Sequence, residues 1–118
     1  MGGKSLRLSR IFGEDGRAVV VAMDHGLFAG PLRGLDPEKL IRDASTCGAD
    51  AVIVTPGILA RITPPRYLGV ILRIDCGSTI LTSRLSGGRL MIGVDDAIRL
   101  GADAVITMMY VGGAAELD

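Results

Sequence analysis

An aspartate and a histidine, Asp24 and His25, stand side by side directly after an apolar run and before a glycine-rich loop. A carboxyl group at the end of a buried strand can exchange protons with a substrate oxygen, which makes Asp24 the first catalytic candidate. The alternative is structural, with Asp24 accepting backbone N–H groups in a turn and His25 an ordinary polar residue. One neighbouring histidine does not establish a Ser-His-Asp triad. The sequence leaves both interpretations of the pair open.

Other polar side chains follow two further apolar runs. Asp75 and Ser78, with Thr79, come after the run at 70–74, and their oxygens suit the binding of substrate hydroxyl groups. An aspartate beside glycine and serine is also common in turns. Tyr110 ends another apolar run, where either its hydroxyl faces a pocket or its ring fills a layer of a barrel. Asp75 and Ser78 are therefore candidate substrate-binding residues.

The composition argues against several classes of protein. Lys and Arg together number 13, as do Asp and Glu, and only 3% of the chain is aromatic, so a nucleic-acid partner is not expected. The glycines match neither the dinucleotide-binding nor the phosphate-loop pattern, and two cysteines with one histidine cannot build a zinc cluster. We therefore expect neither a cofactor nor a bound metal.

The expected location is the cytoplasm. Cys47 and Cys76 lack metal-ligand spacing and are expected to be reduced thiols. The basic segment at 1–10 is not followed by the apolar region of a signal peptide. No apolar run reaches the roughly 18 residues of a membrane span. These features predict a soluble protein without a membrane partner.

A repeated segment organises the chain, since GADAVI occurs at 48–53 and again at 101–106. Each copy follows an amphipathic stretch and begins a β-branched run, which predicts a helix, a glycine stop and a buried strand. Asp36 and Pro37 predict the start of the first of these helices, as N-cap and first helical residue.

The apolar runs and breakers predict an α/β protein with the order strand, helix, strand, strand, helix, strand. The predicted bounds are 18–24, 37–47, 51–55, 69–75, 94–100 and 104–110, with a short helix at 5–12, a helical turn at 58–62 and a loop at 76–89 that turns at 87–88. Strands without polar alternation are typical of parallel sheets covered on both faces. Chemistry in such sheets collects at the carboxyl ends of the strands, where the candidates lie.

Four stretches resemble the archaeal-type class I fructose-bisphosphate aldolase family: RLSRIF at 7–12, MDHG at 23–26 followed by GP at 30–31, GIL at 57–59, and VDDAIRLGADAV at 94–105. That family also contains 2-amino-3,7-dideoxy-D-threo-hept-6-ulosonate synthase and the thiolase of autoinducer-2 phosphate breakdown. The resemblance extends over essentially all 118 residues. It implies a (β/α)8 barrel lyase in which a lysine forms a Schiff base with a ketose phosphate or another small keto substrate.

By the same resemblance, Asp24 matches the active-site aspartate of the family, which assists proton transfers on the carbinolamine and a substrate hydroxyl, and His25 shapes the same pocket. The family's lysine lies on the sixth strand, whereas the only lysines here are Lys4 and Lys39, outside every predicted strand. A closed barrel needs about 250 residues. We therefore expect residues 1–118 to form the amino-terminal half of a TIM barrel, strands one to four, truncated before the fifth strand and inactive alone.

The unpaired edges of such a half-barrel predict association, either as a homo-oligomer or with a missing carboxyl-terminal half. The expected activity is that of a fructose-bisphosphate aldolase. The alternatives are the ulosonate synthase, the acyl-transferring thiolase, and a non-catalytic half-barrel that only assembles with a partner.

Overall fold

The computed structural model describes residues 2–82 and 88–112, which contain five helices and six strands. The helices are α1 (Gly3–Leu8), α2 (Gly26–Ala29), α3 (Pro37–Thr46), α4 (Pro56–Leu59) and α5 (Val94–Arg99). The strands are β1 (Val20–Ala22), β2 (Ala51–Val54), β3 (Gly69–Arg73), β4 (Asp75–Cys76), β5 (Arg89–Leu90) and β6 (Ala104–Ile106). All six principal predicted elements are present, although β1 and β6 are shorter than predicted.

Four parallel strands form one sheet in the order β1-β2-β3-β6. Their Val, Ile and Ala residues suit a pleated surface that helices cover. The chain passes from β1 to β2 through α3 and from β3 to β6 through α5. In the sheet register, Ala22 lies beside Ile53, and Ile53 lies beside Ile71. The architecture is therefore the parallel α/β arrangement that the sequence predicts.

The two faces of the sheet have different surroundings. On the helix face, Val52 and Leu72 are fully buried and form the core with Ile41 of α3. Successive residues of a strand point to opposite faces, so Ile53 and Ile71 belong to the second face, where they are half-buried. This second face carries the polar residues of the candidate site.

The repeated segment ends two helices in the same way. Gly48 and Gly101 have φ values of 89° and 88°, which is the left-handed conformation that the sequence predicts for a helix stop. Ala49 then donates its N–H to the carbonyl of Ala44 at 2.9 Å, and Ala102 makes the equivalent bond at the end of α5 at 3.0 Å. Both helix ends are therefore Schellman motifs that turn the chain directly into a strand.

The aspartate of each repeat holds the neighbouring strand. Asp50 Oδ2 accepts the backbone N–H of Val19 at 2.7 Å, and Asp103 Oδ2 accepts that of Val70 at 3.0 Å. Asp103 Oδ1 also accepts from Arg10 Nη1 at 3.2 Å. We call the bond from each aspartate to the backbone N–H of the neighbouring strand an aspartate latch. Both aspartates lie at the amino ends of their strands, where they hold neighbouring strands together, so their role is structural.

The N-terminal segment covers the amino end of the second face. Ile11, which follows α1, is only 3% exposed. A Cβ on Gly69 would lie 2.7 Å from the carbonyl oxygen of Arg10, 2.9 Å from Ile11 Cγ1 and 3.1 Å from the Cβ of Ala51. Only glycine therefore fits at the first residue of β3.

The segment predicted as mostly loop at 76–89 is loop over its described residues except at its two ends, where Cys76 and Arg89 pair in β4 and β5. Its predicted turn at 87–88 lies partly outside the described residues. The structure corrects one sequence prediction, the length of the last strand. Tyr110 follows the fourth parallel strand and does not belong to it, because β6 ends at Ile106. The physical reason is that Met108 donates its N–H to the carboxylate of Asp75 and not to a neighbouring strand.

Two further findings concern the whole described chain. Cys47 and Cys76 both carry free thiols, as predicted. Within residues 2–82 and 88–112, no helix combines the length and the apolar character needed to cross a bilayer.

Candidate active site

Arg73, the last residue of β3, is a charged residue inside the sheet and is only 4% exposed. It belongs to the second face because it alternates with Leu72, which packs in the core. A guanidinium removed from water needs anionic or hydrogen-bonding partners around it. Arg73 finds them in two aspartates beyond the ends of β1 and β3.

The first partner is Asp24, which follows β1 and is 7% exposed. Arg73 Nη1 donates to Asp24 Oδ2 at 2.8 Å. Continuing the sheet register places Asp24, Thr55 and Arg73 in one row, so the arginine reaches across β2 to a strand that is not its neighbour. The hydroxyl of Thr55, between them, accepts from Ile58 N and serves as the N-cap of α4. The carboxylate of Asp24 accepts no backbone N–H from a described residue, so its role differs from the turn alternative.

The second partner is Asp75, the first residue of β4, which is 4% exposed. Arg73 Nε donates to Asp75 Oδ1, and the backbone N–H of Met108 donates to Asp75 Oδ2 at 2.9 Å. Protein groups therefore engage both oxygens of this carboxylate. Together these bonds connect the carboxyl ends of β1, β3 and β6. We call Asp24, Arg73 and Asp75 the carboxylate-arginine cluster.

The cluster leaves one acidic oxygen available. Asp24 Oδ2 is held by Arg73, whereas Asp24 Oδ1 receives no hydrogen bond from residues 2–82 or 88–112. Two carboxylates around one guanidinium also give the cluster an excess of one negative charge when both acids are ionised. A buried site of this kind can accept a proton from a hydroxyl group and can stabilise a nearby cation.

His25 is placed apart from this cluster. It begins the turn into α2 and lines a separate apolar cavity of about 380 Å³ with Met23, Leu40 and Ile58. Met23, Leu40 and Ile58 belong to or pack against the core on the helix face. Asp24 and His25, adjacent in sequence, therefore contribute to different sides of the first strand end.

Ser78, the remaining sequence candidate, lies two residues beyond β4 and is half-buried. The adjacent Gly77 is covered by Tyr110, because a Cβ on Gly77 would lie 2.6 Å from the Tyr110 hydroxyl oxygen. That hydroxyl therefore stands over the turn that follows β4. The substrate-binding role of Ser78 stays a prediction.

The two lysines lie away from the cluster. Lys4 is part of α1 and lines a cavity with Asp103 and Ala104 at the amino end of β6, opposite the strand ends that carry Asp24. Lys39 Nζ donates to Asp43 Oδ2 at 2.6 Å on the exposed side of α3. This hydrogen bond, together with the charge of Asp43, raises the pKa of Lys39 above its ordinary value. Lys39 is therefore protonated at neutral pH, whereas an amine nucleophile must be neutral.

Sequence reasoning missed Arg73, although a signal was present. Arg73 is the one charged residue in the otherwise apolar stretch GVILR that forms β3. A charge within a strand buried on both faces requires partners of opposite charge, and Asp24 and Asp75 were already known as strand-end acids. Reading the three residues together predicts the cluster.

Comparisons with known proteins place the chain among aldolases. Residues 18–116 match a family model described as DeoC/LacD family aldolase. The 2-amino-3,7-dideoxy-D-threo-hept-6-ulosonate synthase of Halobacterium salinarum is 39% identical over 118 residues, covering 98% of this chain and 44% of that protein. The 3-hydroxy-5-phosphonooxypentane-2,4-dione thiolase of Escherichia coli K12 is 34% identical over 115 residues, covering 97% of this chain and 40% of the thiolase. The chain thus spans less than half the length of these curated relatives.

Solved structures give the same result for the fold. The crystal structure of an archaeal fructose 1,6-bisphosphate aldolase matches with a TM-score of 0.81 and 29% identity, over 96% of this chain and 46% of the aldolase. An archaeal fructose-1,6-bisphosphate aldolase with its catalytic Lys covalently bound to the carbinolamine intermediate matches with a TM-score of 0.81 and 28% identity, over 96% of this chain and 47% of the other. The four-stranded parallel sheet is therefore a half-barrel of the TIM-barrel type, which confirms the predicted fold class.

Proposed function

The chain belongs to the DeoC/LacD family of aldolases, and on that premise we propose that it is the amino-terminal half of a Schiff-base aldolase that cleaves a phosphorylated ketose such as fructose 1,6-bisphosphate. The observation that carries the proposal is the carboxylate-arginine cluster at the carboxyl ends of the strands. In this proposal Asp24 is the catalytic acid and base of the half-barrel.

The reaction needs two proton transfers that suit Asp24. A neutral lysine amine adds to the ketone carbonyl, and Asp24 as an acid protonates the hydroxyl of the resulting carbinolamine, which leaves as water to give an iminium cation. The Asp24 carboxylate then takes the proton of the hydroxyl on the carbon beyond the bond to be broken. That carbon–carbon bond breaks and the aldehyde leaves, while the bonding electron pair forms the double bond of an enamine and the π pair of the iminium moves to nitrogen. Asp24 Oδ1, which no described residue engages, is the oxygen that we assign to these transfers.

The charge of the cluster supports the same assignment. The iminium intermediate is a cation, and a site with one excess negative charge in a nearly inaccessible position stabilises a cation without reorganising. Arg73 prevents the two carboxylates from repelling each other. The site therefore combines a fixed base with a net charge of the correct sign.

The proposal assigns the Schiff-base lysine to a part of the protein beyond these residues. Lys4 lies at the wrong end of the sheet, and Lys39 is held protonated by Asp43. The isolated half-barrel is therefore proposed to be inactive until a second half supplies the lysine and the phosphate site. The second face, which no helix of the described residues covers at Ile53 and Ile71, and the edges of β1 and β6 are where that half, or another copy of this chain, would pack.

The other sequence candidates take different roles in the proposal. Ser78 binds a substrate hydroxyl at the turn after β4, whereas His25 shapes the apolar cavity on the other side of the first strand end. Asp75 acts through Arg73, since both of its oxygens are engaged by the protein. The two free thiols support the proposed cytoplasmic location.

A second function is favoured by one comparison. The synthase of Halobacterium salinarum is 39% identical to this chain, whereas the archaeal aldolase structures are 28% to 29% identical. We therefore propose an ulosonate synthase activity, which would use the same carboxylate-arginine cluster, as the alternative. A thiolase activity ranks below the synthase activity, because the thiolase of Escherichia coli K12 is 34% identical to this chain and the synthase is 39% identical.

Two chimeric enzymes test the proposal. In the aldolase chimera, residues 1–118 replace the matching segment of an archaeal fructose 1,6-bisphosphate aldolase, and in the synthase chimera they replace that of the Halobacterium salinarum synthase. Borohydride is added with the substrate, and mass spectrometry locates the trapped adduct. We expect the aldolase chimera to trap fructose 1,6-bisphosphate on a lysine of its other half and to cleave it, and the 118-residue chain alone to trap nothing.

The controls separate the alternatives. Asp24→Asn in the aldolase chimera should lower kcat about 100-fold or more, the range of a lost acid–base group. Activity in the synthase chimera alone would favour the ulosonate synthase. Two folded chimeras that trap no adduct would support a non-catalytic half-barrel, and an adduct on Lys4 or Lys39 would refute the placement of the nucleophile.

A further inference from the structure

We infer that Arg73 is a positioning residue that fixes the orientation of Asp24 for proton transfer, and that Asp75 locks Arg73 in place. The inference deepens the proposed function and rests on it, because the proton transfer is the one assigned to Asp24. It concerns a residue that lies on β3, two strands away from Asp24 in the sheet.

The orientation of Asp24 follows from the one side-chain hydrogen bond that the described part of the chain gives it. Arg73 Nη1 donates to Asp24 Oδ2 at 2.8 Å, and the side chain of Asp24 is about 10% exposed. With one oxygen fixed, the plane of the carboxylate is restricted and Oδ1 is presented on the second face of the sheet. A misplacement of about 1 Å at a reacting group can cost about 100-fold in rate.

The orientation of Arg73 is itself determined by Asp75. Arg73 Nε donates to Asp75 Oδ1, while Asp75 Oδ2 is fixed by the backbone N–H of Met108 at 2.9 Å. A guanidinium is planar, so a bond at Nε and a bond at Nη1 together define its position and its rotation. Backbone geometry at the end of β6 is in this way transmitted through two side chains to the carboxylate after β1.

Stability alone does not account for this arginine. Apolar residues of similar volume often replace a buried ion pair at no loss of stability, and the neighbouring positions of β3 are apolar. A lysine ammonium is a point charge on a flexible stem, so it would not fix the relative orientation of the two aspartates as the planar fork of a guanidinium does. The arrangement makes use of the properties that distinguish arginine, which is expected of a residue that orients another.

The test uses the aldolase chimera with Arg73→Gln, Arg73→Lys and the double variant Arg73→Gln with Asp24→Asn. We expect Arg73→Gln to lower kcat at least 30-fold with less than a threefold change in KM, and Arg73→Lys to recover part of the loss. The double variant should be no more than threefold slower than Asp24→Asn, because both changes remove the same oriented base. Adduct trapping at long times should persist in every variant.

Arg10→Gln is the matched control for loss of an arginine that binds a buried aspartate. Arg10 bonds Asp103 at the opposite end of the sheet, so this variant should lower stability and leave kcat within about twofold. An Arg73→Gln enzyme with the kcat of the parent chimera, or multiplicative losses in the double variant, would overturn the inference.

A second measurement does not depend on the proposed function. In the 118-residue chain, the Nε–H of Arg73 should exchange slowly in nuclear magnetic resonance spectra, at least tenfold more slowly than those of exposed arginines. Asp75→Ala should abolish this protection, whereas Asp24→Asn should preserve it. If the parent chimera traps no adduct, the proposed function fails, while the exchange rates still decide whether Asp75 locks Arg73. If the Nε–H of Arg73 in the parent chain exchanges as fast as those of exposed arginines, Asp75 does not hold Arg73 in place, and that part of the inference is overturned.

Discussion

Removal of the Asp103 carboxylate should destabilise the chain far more than removal of the Asp50 carboxylate, although both occupy the same position in the repeated segment. In each aspartate latch, the carboxylate accepts one backbone N–H from a neighbouring strand, at 3.0 Å from Val70 and 2.7 Å from Val19. The bonds are similar in length, so the difference between the two variants must come from their surroundings.

The magnitude follows from burial. Val70 is 6% exposed, so its N–H in Asp103→Ala has no access to water, and an unsatisfied buried donor costs about 1 to 3 kcal/mol. The lost pair with the half-exposed Arg10 adds up to about 1 kcal/mol. Val19 is 61% exposed, so its N–H in Asp50→Ala is rehydrated. We expect losses of about 2 to 3 kcal/mol for Asp103→Ala and below about 1 kcal/mol for Asp50→Ala.

The assay is urea unfolding followed by far-ultraviolet circular dichroism, because the chain contains no tryptophan. All variants are measured at one protein concentration, since association stabilises the folded state by mass action. Asp103→Asn is the matched control, because its amide oxygen still accepts the N–H of Val70 and should restore most of the loss. The variants are compared by their midpoints at equal m values.

Two outcomes would refute the reasoning. An Asp50→Ala variant as unstable as Asp103→Ala would show that burial of the donor does not set the cost. An Asp103→Asn variant as unstable as Asp103→Ala would show that the ion pair with Arg10, and not the bond to Val70, provides the stability.

Three other predictions follow from contacts described above. Asp43→Asn should speed the modification of Lys39 by amine reagents at about pH 9, because loss of the hydrogen bond lowers the pKa of Lys39. Mass spectrometry measures the rate, and Lys4 is the internal control. An unchanged rate at Lys39 would contradict the role of Asp43 in raising this pKa. The 118-residue chain should associate through β1 and β6, the edge strands of the sheet that its described residues form, so light scattering that shows only a monomer counts against an open half-barrel. Gly69→Ala should destabilise the folded chain by about 1 to 3 kcal/mol, because the new Cβ meets the backbone of Arg10. Gly57→Ala is the control and should be neutral or stabilising, because a Cβ on this residue of α4 has open space around it. Equal melting temperatures for the two variants would refute the close contact at Gly69.

The elements that the sequence predicts well are those with local signals. Asp36 accepts from the N–H groups of Glu38 and Lys39 as the expected N-cap, and the glycines after α3 and α5 have the expected positive φ. The short helix α2 has no such signal, since its four residues, Gly26–Ala29, are too few to show a period. Local chemistry therefore determines where helices start and stop.

The candidate site is less predictable because its contacts are distant in sequence. Asp24 and Arg73 are brought together only by the order of the strands, with β2 between them. The adjacency of Asp24 and His25 suggests one pocket, yet a turn separates them onto two sides of the strand end. Arg73 belongs to no sequence motif, and only the energetic cost of a buried charge indicates that it needs acidic partners.

The aspartate latch also answers a question that the apolar strands leave open. A strand that alternates polar and apolar residues resists displacement along its neighbour, since a slip by one residue would expose its apolar side. Strand β2 is apolar on both faces, and β3 is apolar on both faces up to its last residue, Arg73, so neither strand has that alternation. A slip here would instead break the bonds from Val19 and Val70 to their aspartates and leave charged groups without partners. Each of these aspartates comes two residues after the glycine that ends a helix. The position of the helix end therefore sets the register of the neighbouring strands, and the bonds at the amino ends of the strands disfavour a shifted register.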